Sequence, residues 1–230
     1  MKEYVIPKLY LSGFVKDMES KLERYGAQRR IYKKDELLTS HGVINNTAHY
    51  IHSGIIHLSL SHSSGNLKSM NFFGPQTVFP LGVVPHENLI DYEMVLRAFT
   101  DVEVSSFSYP VLRRMCVEDG EMAAQILEEN CEFIGYLFYQ DMNHAYAPTF
   151  IRVCDILHLY LENVKPMNGT IPIKQEDLAS LVGVSRPQLE RVLKELRSKN
   201  IITTGRGSIQ IKDATRLLGF CSTDIRSHHP

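Results

Sequence analysis

The chain has 230 residues and a mass of 26.3 kDa, with 43% hydrophobic and 22% charged residues; this is enough for a buried core in one large or two small domains. No apolar run approaches the roughly 18 residues that span a bilayer, and Met1-Lys2-Glu3-Tyr4 lacks the apolar stretch of a secretory leader, so a cytoplasmic protein is expected. The net charge of −1 conceals an asymmetry: residues 1–147 hold 13 Lys+Arg against 18 Asp+Glu, and residues 148–230 hold 12 against 8. Any polyanion is therefore expected at the carboxy-terminal part. Cys116, Cys131, Cys154 and Cys221 lie 15, 23 and 67 residues apart, without a CxxC pair, which reads as reduced thiols rather than a metal cluster.

Taken in chain order, Phe14–Leu22 places apolar residues at helical spacing and Gly26 closes the segment. From Arg30 to Phe107, short runs rich in Ile, Val, Tyr, Phe and Thr alternate with turn signals, among them Ser40-His41-Gly42, Ser53-Gly54 and Gly74-Pro75. Ile55–Leu60, Tyr92–Leu96 and Val102–Phe107 read as strands, and their spacing of about ten residues predicts a compact antiparallel roll. After Pro110 the period lengthens. Met122, Ile126, Phe133, Leu137 and Gln140 share one stripe, with Leu127, Ile134 and Phe138 beside it, so one long helix is expected from about Glu118 to His144. Its charges (Glu128, Glu129, Glu132, Asp141) are expected largely off that stripe. Half of the stripe can cover the roll, and the other half calls for the same helix of a second subunit. Ala147-Pro148 ends the helix and marks a boundary.

The last third reads as helix (Thr149–Asn163), loop, short strand (Ile171–Ile173), helix (Gln175–Leu181), a break at Gly183, a second helix (Ser185 to about Lys199), and a hairpin. Its two hairpin strands, Ile201-Ile202 and Ile209-Gln210-Ile211, flank the Thr203–Ser208 turn. This is the order of a winged helix-turn-helix. Ser185 and Gln188 fit a capping box, and Pro187 occupies the first turn, where no amide hydrogen is needed. Leu189, Val192, Leu193 and Leu196 make the buried face, which leaves Arg186, Gln188, Glu190, Arg191 and Lys194 outward. Long donors at the start of such a helix suit major-groove readout: Arg matches guanine O6 and N7, and Gln matches adenine.

The stretch Gln175–Leu196, with Val182-Gly183-Val184-Ser185-Arg186 at its centre, resembles the helix-turn-helix of CRP/FNR-type transcription regulators. Asn200-Ile201-Ile202, Gly205-Arg206-Gly207 and Ile209-Gln210-Ile211 resemble the wing of that family. The resemblance implies an α+β protein in three parts: a cyclic-nucleotide-binding-like jelly-roll sensor (a double-stranded β-helix) over 1–117, a dimerisation helix over 118–147, and a winged helix-turn-helix over 148–230. It further implies a homodimer on a palindromic duplex, RNA polymerase as a partner if the protein activates, and no catalysis. The DNA-binding residues it implies are Lys174, Gln175, Ser185, Arg186, Gln188, Arg191, Lys194 and Arg206. Two positions depart from the family. Pro187 stands where many members carry an acidic residue that selects cytosine, and Lys174 replaces the Thr that often caps the first helix.

Members that bind cyclic nucleotides hold phosphate and ribose with a Gly-Glu pair and an Arg-Ser/Thr pair; here Pro80-Leu81 and Tyr92-Glu93 occupy those places. Glu93 would repel a phosphate, and Leu81 offers no ribose acceptor. The expected effector is instead small and apolar or aromatic, lined by Phe79, Leu81, Tyr92, Glu93, Phe133 and Tyr136. This relining is similar to the halorespiration-regulator branch of the family. No cofactor or metal is expected: no cysteine precedes Cys116, and His52 and His57 are an odd number of residues apart, on opposite faces of any continuous strand. A haem-, metal- or redox-responsive member remains the alternative. A cupin-like metal enzyme would need a His-x-His pair and a nearby Glu, and His49/His52 and His57/His62 lack that spacing.

Overall fold

The computed structural model describes residues 7–39, 46–81 and 92–227; His41 and the Ser40-His41-Gly42 turn lie outside them. The chain divides into two compact units, Tyr10–Phe133 and a second that joins the residues before Tyr10 to those from Ile134 onward.

In the first unit, β1 (Tyr10–Leu11), α1 (Glu19–Arg24) and β2 (Gln28–Tyr32) precede the strands of the roll. These are β3 (Thr47–Ser53), β4 (Ile56–His62), β5 (Leu67–Phe73), β6 (Val78–Phe79), β7 (Tyr92–Ala98) and β8 (Val102–Ser108). They form two four-stranded sheets, ordered β1-β5-β4-β7 and β2-β8-β3-β6, and every pairing is antiparallel except β1 with β5. The period-2 alternation of each strand sends one set of side chains between the sheets. Leu11, Tyr32, Ile51, Ile56, Leu58, Phe73, Phe79, Leu96, Ala98, Val102 and Val104 form that interior. Gly54 turns β3 into β4 at φ +85°, and a Cβ there would stand 2.1 Å from the Asp101 carbonyl oxygen, so only glycine fits.

The opposite face of the second sheet is covered by helices. Ala48, Tyr50, Val78 and Phe107 pack with Leu22 of α1, Leu112 and Met115 of α2 (Tyr109–Glu118), and Met122 and Ile126 of α3 (Gly120–Tyr146). The expected helical stretch thus begins earlier and in two pieces: Pro110 starts α2, as a proline in a first turn can. Asp119 breaks the run and caps α3, its Oδ1 accepting from the Met122 amide at 3.0 Å.

The acidic residues of α3 lie largely off its buried face, as expected, with Glu129, 1% exposed, the exception. Positions 122, 126, 129 and 133 follow the i, i+4, i+7, i+11 spacing of one helical face, so the period itself buries it. Its Oε2 accepts from the Val78 amide of β6 at 3.2 Å, satisfying an edge-strand donor. Burial raises this carboxyl to about 8, so it is protonated at neutral pH. The other side of α3 is an exposed apolar stripe, with Leu127 62%, Phe138 70% and Tyr146 79% exposed and with Ile134 and Met142 in the same series.

The second unit takes the remaining turns of α3 and α4 (Thr149–Val164), with β9 (Thr170–Ile171), α5 (Gln175–Val182), α6 (Arg186–Ser198), β10 (Ile202–Gly205) and β11 (Ser208–Ile211). Helices α7 (Ala214–Gly219) and α8 (Thr223–Arg226) close it. Strands β10-β11-β9 form a small antiparallel sheet. Proline 148 ends α3 as expected, yet the division between units falls fourteen residues earlier, between Phe133 and Ile134. Among the described residues no helix is long and apolar enough to cross a membrane.

Candidate nucleic-acid interface and effector site

Recognition helix α6 begins with the expected capping box. Ser185 is extended (φ −70°, ψ 152°), its Oγ accepts from the Gln188 amide at 3.4 Å, and Gln188 Oε1 accepts from the Ser185 amide at 2.9 Å. The Ser185 hydroxyl also donates to Gln188 Oε1 at 2.9 Å. With its carbonyl oxygen engaged twice, Gln188 can read adenine bidentately only by giving up a cap worth about 1 kcal/mol. The Gln188 side chain is thus held at the helix start, the position at which DNA contact is expected of it. Leu189, Val192, Leu193 and Leu196 are buried, and Arg186, Arg191 and Lys194 are exposed on the other face.

Helix α5 starts without a side-chain cap at Lys174, as the missing Thr predicts, and ends at Gly183 with φ +66°. That glycine serves twice. It supplies the left-handed cap, and a Cβ there would sit 2.7 Å from Nε2 of His144 near the end of α3. Lys174, Gln175, Glu176, Arg186, Gly205 and Gly207 line an open concavity of about 300 Å³ between the two helices and the wing. Arg206 is exposed at the wing tip, between Gly205 and Gly207. Two side chains here were not singled out in the sequence. Glu176 meets Arg186 at 3.2 Å, with both side chains about two-thirds exposed (71% and 65%), so the pair adds at most about 1 kcal/mol to stability. Arg197 bonds Glu190, which removes Glu190 from the set of free outward groups. The i, i+7 spacing of Glu190 and Arg197 was the available signal.

The candidate effector residues divide. Phe79 stacks on Phe73 at 3.9 Å between ring centroids, and Phe133 meets both, at 5.8 Å and 5.7 Å. Leu81 instead packs with the outer cluster of helices. Glu93 alternates with Met94 and Leu96 and so faces the other side of β7, away from the roll interior. Tyr92 is half exposed at the strand start, its ring 4.9 Å from that of His62. Tyr136 belongs to the second unit, fully buried, and accepts from Gln140 Nε2 at 3.4 Å. The cluster that the sequence reading assembled from six residues is thus reduced to Phe79 and Phe133, with Phe73 added. Register across strands, which local sequence does not contain, makes the difference.

The roll histidines are individually bonded: His49 Nδ1 to Ser106 Oγ at 2.8 Å, His52 to Ser105 Oγ at 2.8 Å and Glu19 Oε1 at 3.1 Å, and His57 to Arg97 at 3.2 Å. Burial lowers His49 to about 4, which keeps it neutral. Among the cysteines, burial pushes Cys154 up to about 12, whereas Cys131 is exposed on α3.

Comparison with known proteins agrees with this geometry. Residues 151–220 match the Crp-like helix-turn-helix domain. The chain is 24% identical over 199 residues to the cyclic AMP receptor protein of Thermus thermophilus, covering 83% of this chain and 86% of that one. Among solved structures it resembles FixK2 from Bradyrhizobium japonicum (TM-score 0.70, 17% identity, 86% of this chain and 98% of that one). It also resembles CprK complexed with OCPA (TM-score 0.67, 17% identity, 93% and 98%). A β-roll, a long helix and a capped helix beside a wing are combined in one chain; its residues 151–220 match the Crp-like helix-turn-helix domain, and its fold as a whole is similar to that of CRP/FNR-type regulators.

Proposed function

We propose that the protein is a cytoplasmic, non-catalytic homodimer that binds a palindromic duplex under the control of a small apolar or aromatic effector. The observation that carries the DNA-binding part is the exposed face of α6, where Arg186, Arg191 and Lys194 project beside the Arg206 wing tip. Ser185 fixes the start of that helix, and Lys174 and Gln175 flank the concavity on the α5 side. In a two-fold dimer the recognition helices meet half-sites about 34 Å apart, one helical turn of DNA. Dimerisation is supported by the exposed stripe Leu127, Ile134, Phe138, Met142 and Tyr146, which is more apolar surface than one solvated helix face needs. As an activator, such a dimer would also meet RNA polymerase.

The effector reading is supported by the Phe73–Phe79–Phe133 cluster inside the roll and by the sequence, which has Pro80-Leu81 and Tyr92-Glu93 at the positions of the Gly-Glu and Arg-Ser/Thr pairs. Leucine 81 lacks a ribose acceptor, and neither Tyr92 nor Glu93 supplies the cation that a phosphate needs. The test is selection of duplexes from a random pool by the full chain, then footprinting with and without cyclic AMP. A symmetric footprint of two half-sites, unchanged by millimolar cyclic AMP, is expected. An asymmetric single half-site would overturn the dimeric reading, and tighter binding with cyclic AMP would overturn the effector reading.

A further inference from the structure

Arg197 connects the recognition helix to the wing. Its Nη2 donates to Glu190 Oε1 at 2.5 Å, and its Nη1 donates to the Thr204 hydroxyl of β10 at 3.3 Å. Seven residues of helix rise about 10.5 Å, so an extended side chain is needed to reach back to Glu190. The planar guanidinium then has donors left for a second acceptor in another direction, which an ammonium group would not hold in fixed geometry. The Arg197 side chain is 31% exposed, so the fork is partly shielded from water.

The place of the second contact matters most. Thr204 pairs with Ile209 in the hairpin, and the next pair, Gly205 with Ser208, is the last before Arg206 and Gly207 at the tip. Two glycines around Arg206 leave the tip with little intrinsic stiffness. The angle at which Arg206 is presented therefore depends on how β10 is held against α6, and Arg197 holds it one residue before the tip glycines. A partly exposed ion pair adds little to stability, so its main consequence is geometric rather than stabilising.

We propose that Arg197 is a positioning residue for the wing, clamping β10 to α6 through Thr204 and Glu190 so that Arg206 reaches the DNA backbone while α6 lies in the groove. The proposal rests on the DNA-binding reading above. Glu190 then serves as an internal counter-ion to Arg197 and does not read bases.

The test uses a duplex enriched from a random pool by the full-length wild-type chain, with affinity measured against salt for Arg206→Ala, Arg197→Met, Thr204→Val and the double variant Arg197→Met/Arg206→Ala. Loss of one phosphate contact makes the log–log salt slope shallower by about one and weakens binding about fivefold at 0.15 M salt. Arg206→Ala is expected to show this, Arg197→Met to show the same change, and the double variant to be no worse than Arg206→Ala alone. Thr204→Val, which leaves the Arg197–Glu190 pair in place, should also lose hydroxyl-radical protection under the wing with an unchanged melting temperature. If Arg197→Met does not fold, Thr204→Val combined with Arg206→Ala carries the same comparison. Additive losses, about 25-fold in the double variant by the same slope arithmetic, would mean that Arg197 does not act through the wing. Failure of the wild-type chain to enrich any duplex would instead remove the DNA-binding reading, and the proposal with it.

Discussion

Tyr139 on α3 donates its hydroxyl hydrogen to the Asp155 carboxylate on α4 at 2.7 Å, and Asp155 is fully buried. Asn143 Nδ2 approaches the same oxygen at 3.3 Å, and the Ser222 amide donates to Oδ1 at 2.8 Å. One carboxylate therefore joins the last turns of α3, the helix α4 and the start of α8. Burial and the neighbouring carboxylate hold the Tyr139 phenol far above its usual range, so it remains a donor at every working pH. Gln140, one residue on, donates to the Leu181 carbonyl just before the helix-turn-helix break, at 3.4 Å. The C-terminal turns of α3 are thus built into the second unit, against the turn at Gly183.

Tyr139→Phe removes one donor from this buried carboxylate while keeping the ring. A loss of about 1–3 kcal/mol is expected, because the Asp155 oxygen is left short of a partner. Hydrogen exchange at the α4 amides of the full-length chain measures it. Unchanged protection would mean that Asn143 and Ser222 satisfy Asp155 by themselves.

Glu129 gives a pH signature whose sign is fixed by its burial. Its folded value of about 8 lies above the usual 4.5, so the folded state holds a proton that the unfolded chain has released between those limits. Stability contributed at this site is therefore lost as pH rises from about 4.5 to about 8, at up to about 1.4 kcal/mol per unit. His49 acts in the opposite direction, since its folded value of about 4 makes folding lose stability as pH falls below 6.5. Glu129→Gln keeps an acceptor for the Val78 amide and removes the titration. Its urea midpoint should exceed that of wild type by more at pH 8.5 than at pH 5; a constant difference would contradict the buried, protonated carboxyl.

What was legible in the sequence was local. The Ser185–Gln188 box, the Gly183 break and the Gly205-Arg206-Gly207 tip depend on residues within a few positions of one another, and each took its expected form. The α6 core face followed from period alone. The sensor half resisted because its faces are set by pairings between distant strands: Leu81 and Glu93, both expected at the effector site, lie on other sides of the sheets from Phe79. Glu129 is the exception among the acidic residues of α3 for a different reason: its spacing, with 122, 126, 129 and 133 on one face, buries a side chain whose charge favours solvent. Side-chain bridges such as Arg197 to Thr204 join elements that only the folded chain brings together.

The exposed stripe of α3 makes dimerisation testable with a native thiol. Cys131 is exposed and lies between Leu127 and Ile134, on the side of the helix that carries the stripe. Where the two-fold axis runs along a pair of parallel α3 helices, each seam position faces its own copy, so in that arrangement mild oxidation should give a covalent dimer that Cys131→Ser abolishes. Phe138→Glu, which places a charge at a 70% exposed seam position, should shift sedimentation from dimer to monomer and remove operator binding. A Phe138→Glu protein that stays dimeric would place the interface elsewhere.

Arg191 and Lys194 separate the two kinds of DNA contact that one helix can make. Both are exposed on α6, Arg191 about one and a half turns from the capped start and Lys194 nearly one turn later. The helix start enters the groove most deeply, and a guanidinium there can bond guanine O6 and N7 together. An ammonium group farther along meets the flanking backbone as a point charge. Arg191→Ala should therefore cost about 1–3 kcal/mol at one base pair and relax discrimination at that pair alone. Lys194→Ala should weaken all duplexes alike and make the salt slope shallower by about one. Affinities of both variants for a set of single-base operator variants, each at two salt concentrations, give the comparison directly. Identical profiles across the set would show that the two residues do the same thing, and the division between base reading and backbone contact along α6 would have to be withdrawn.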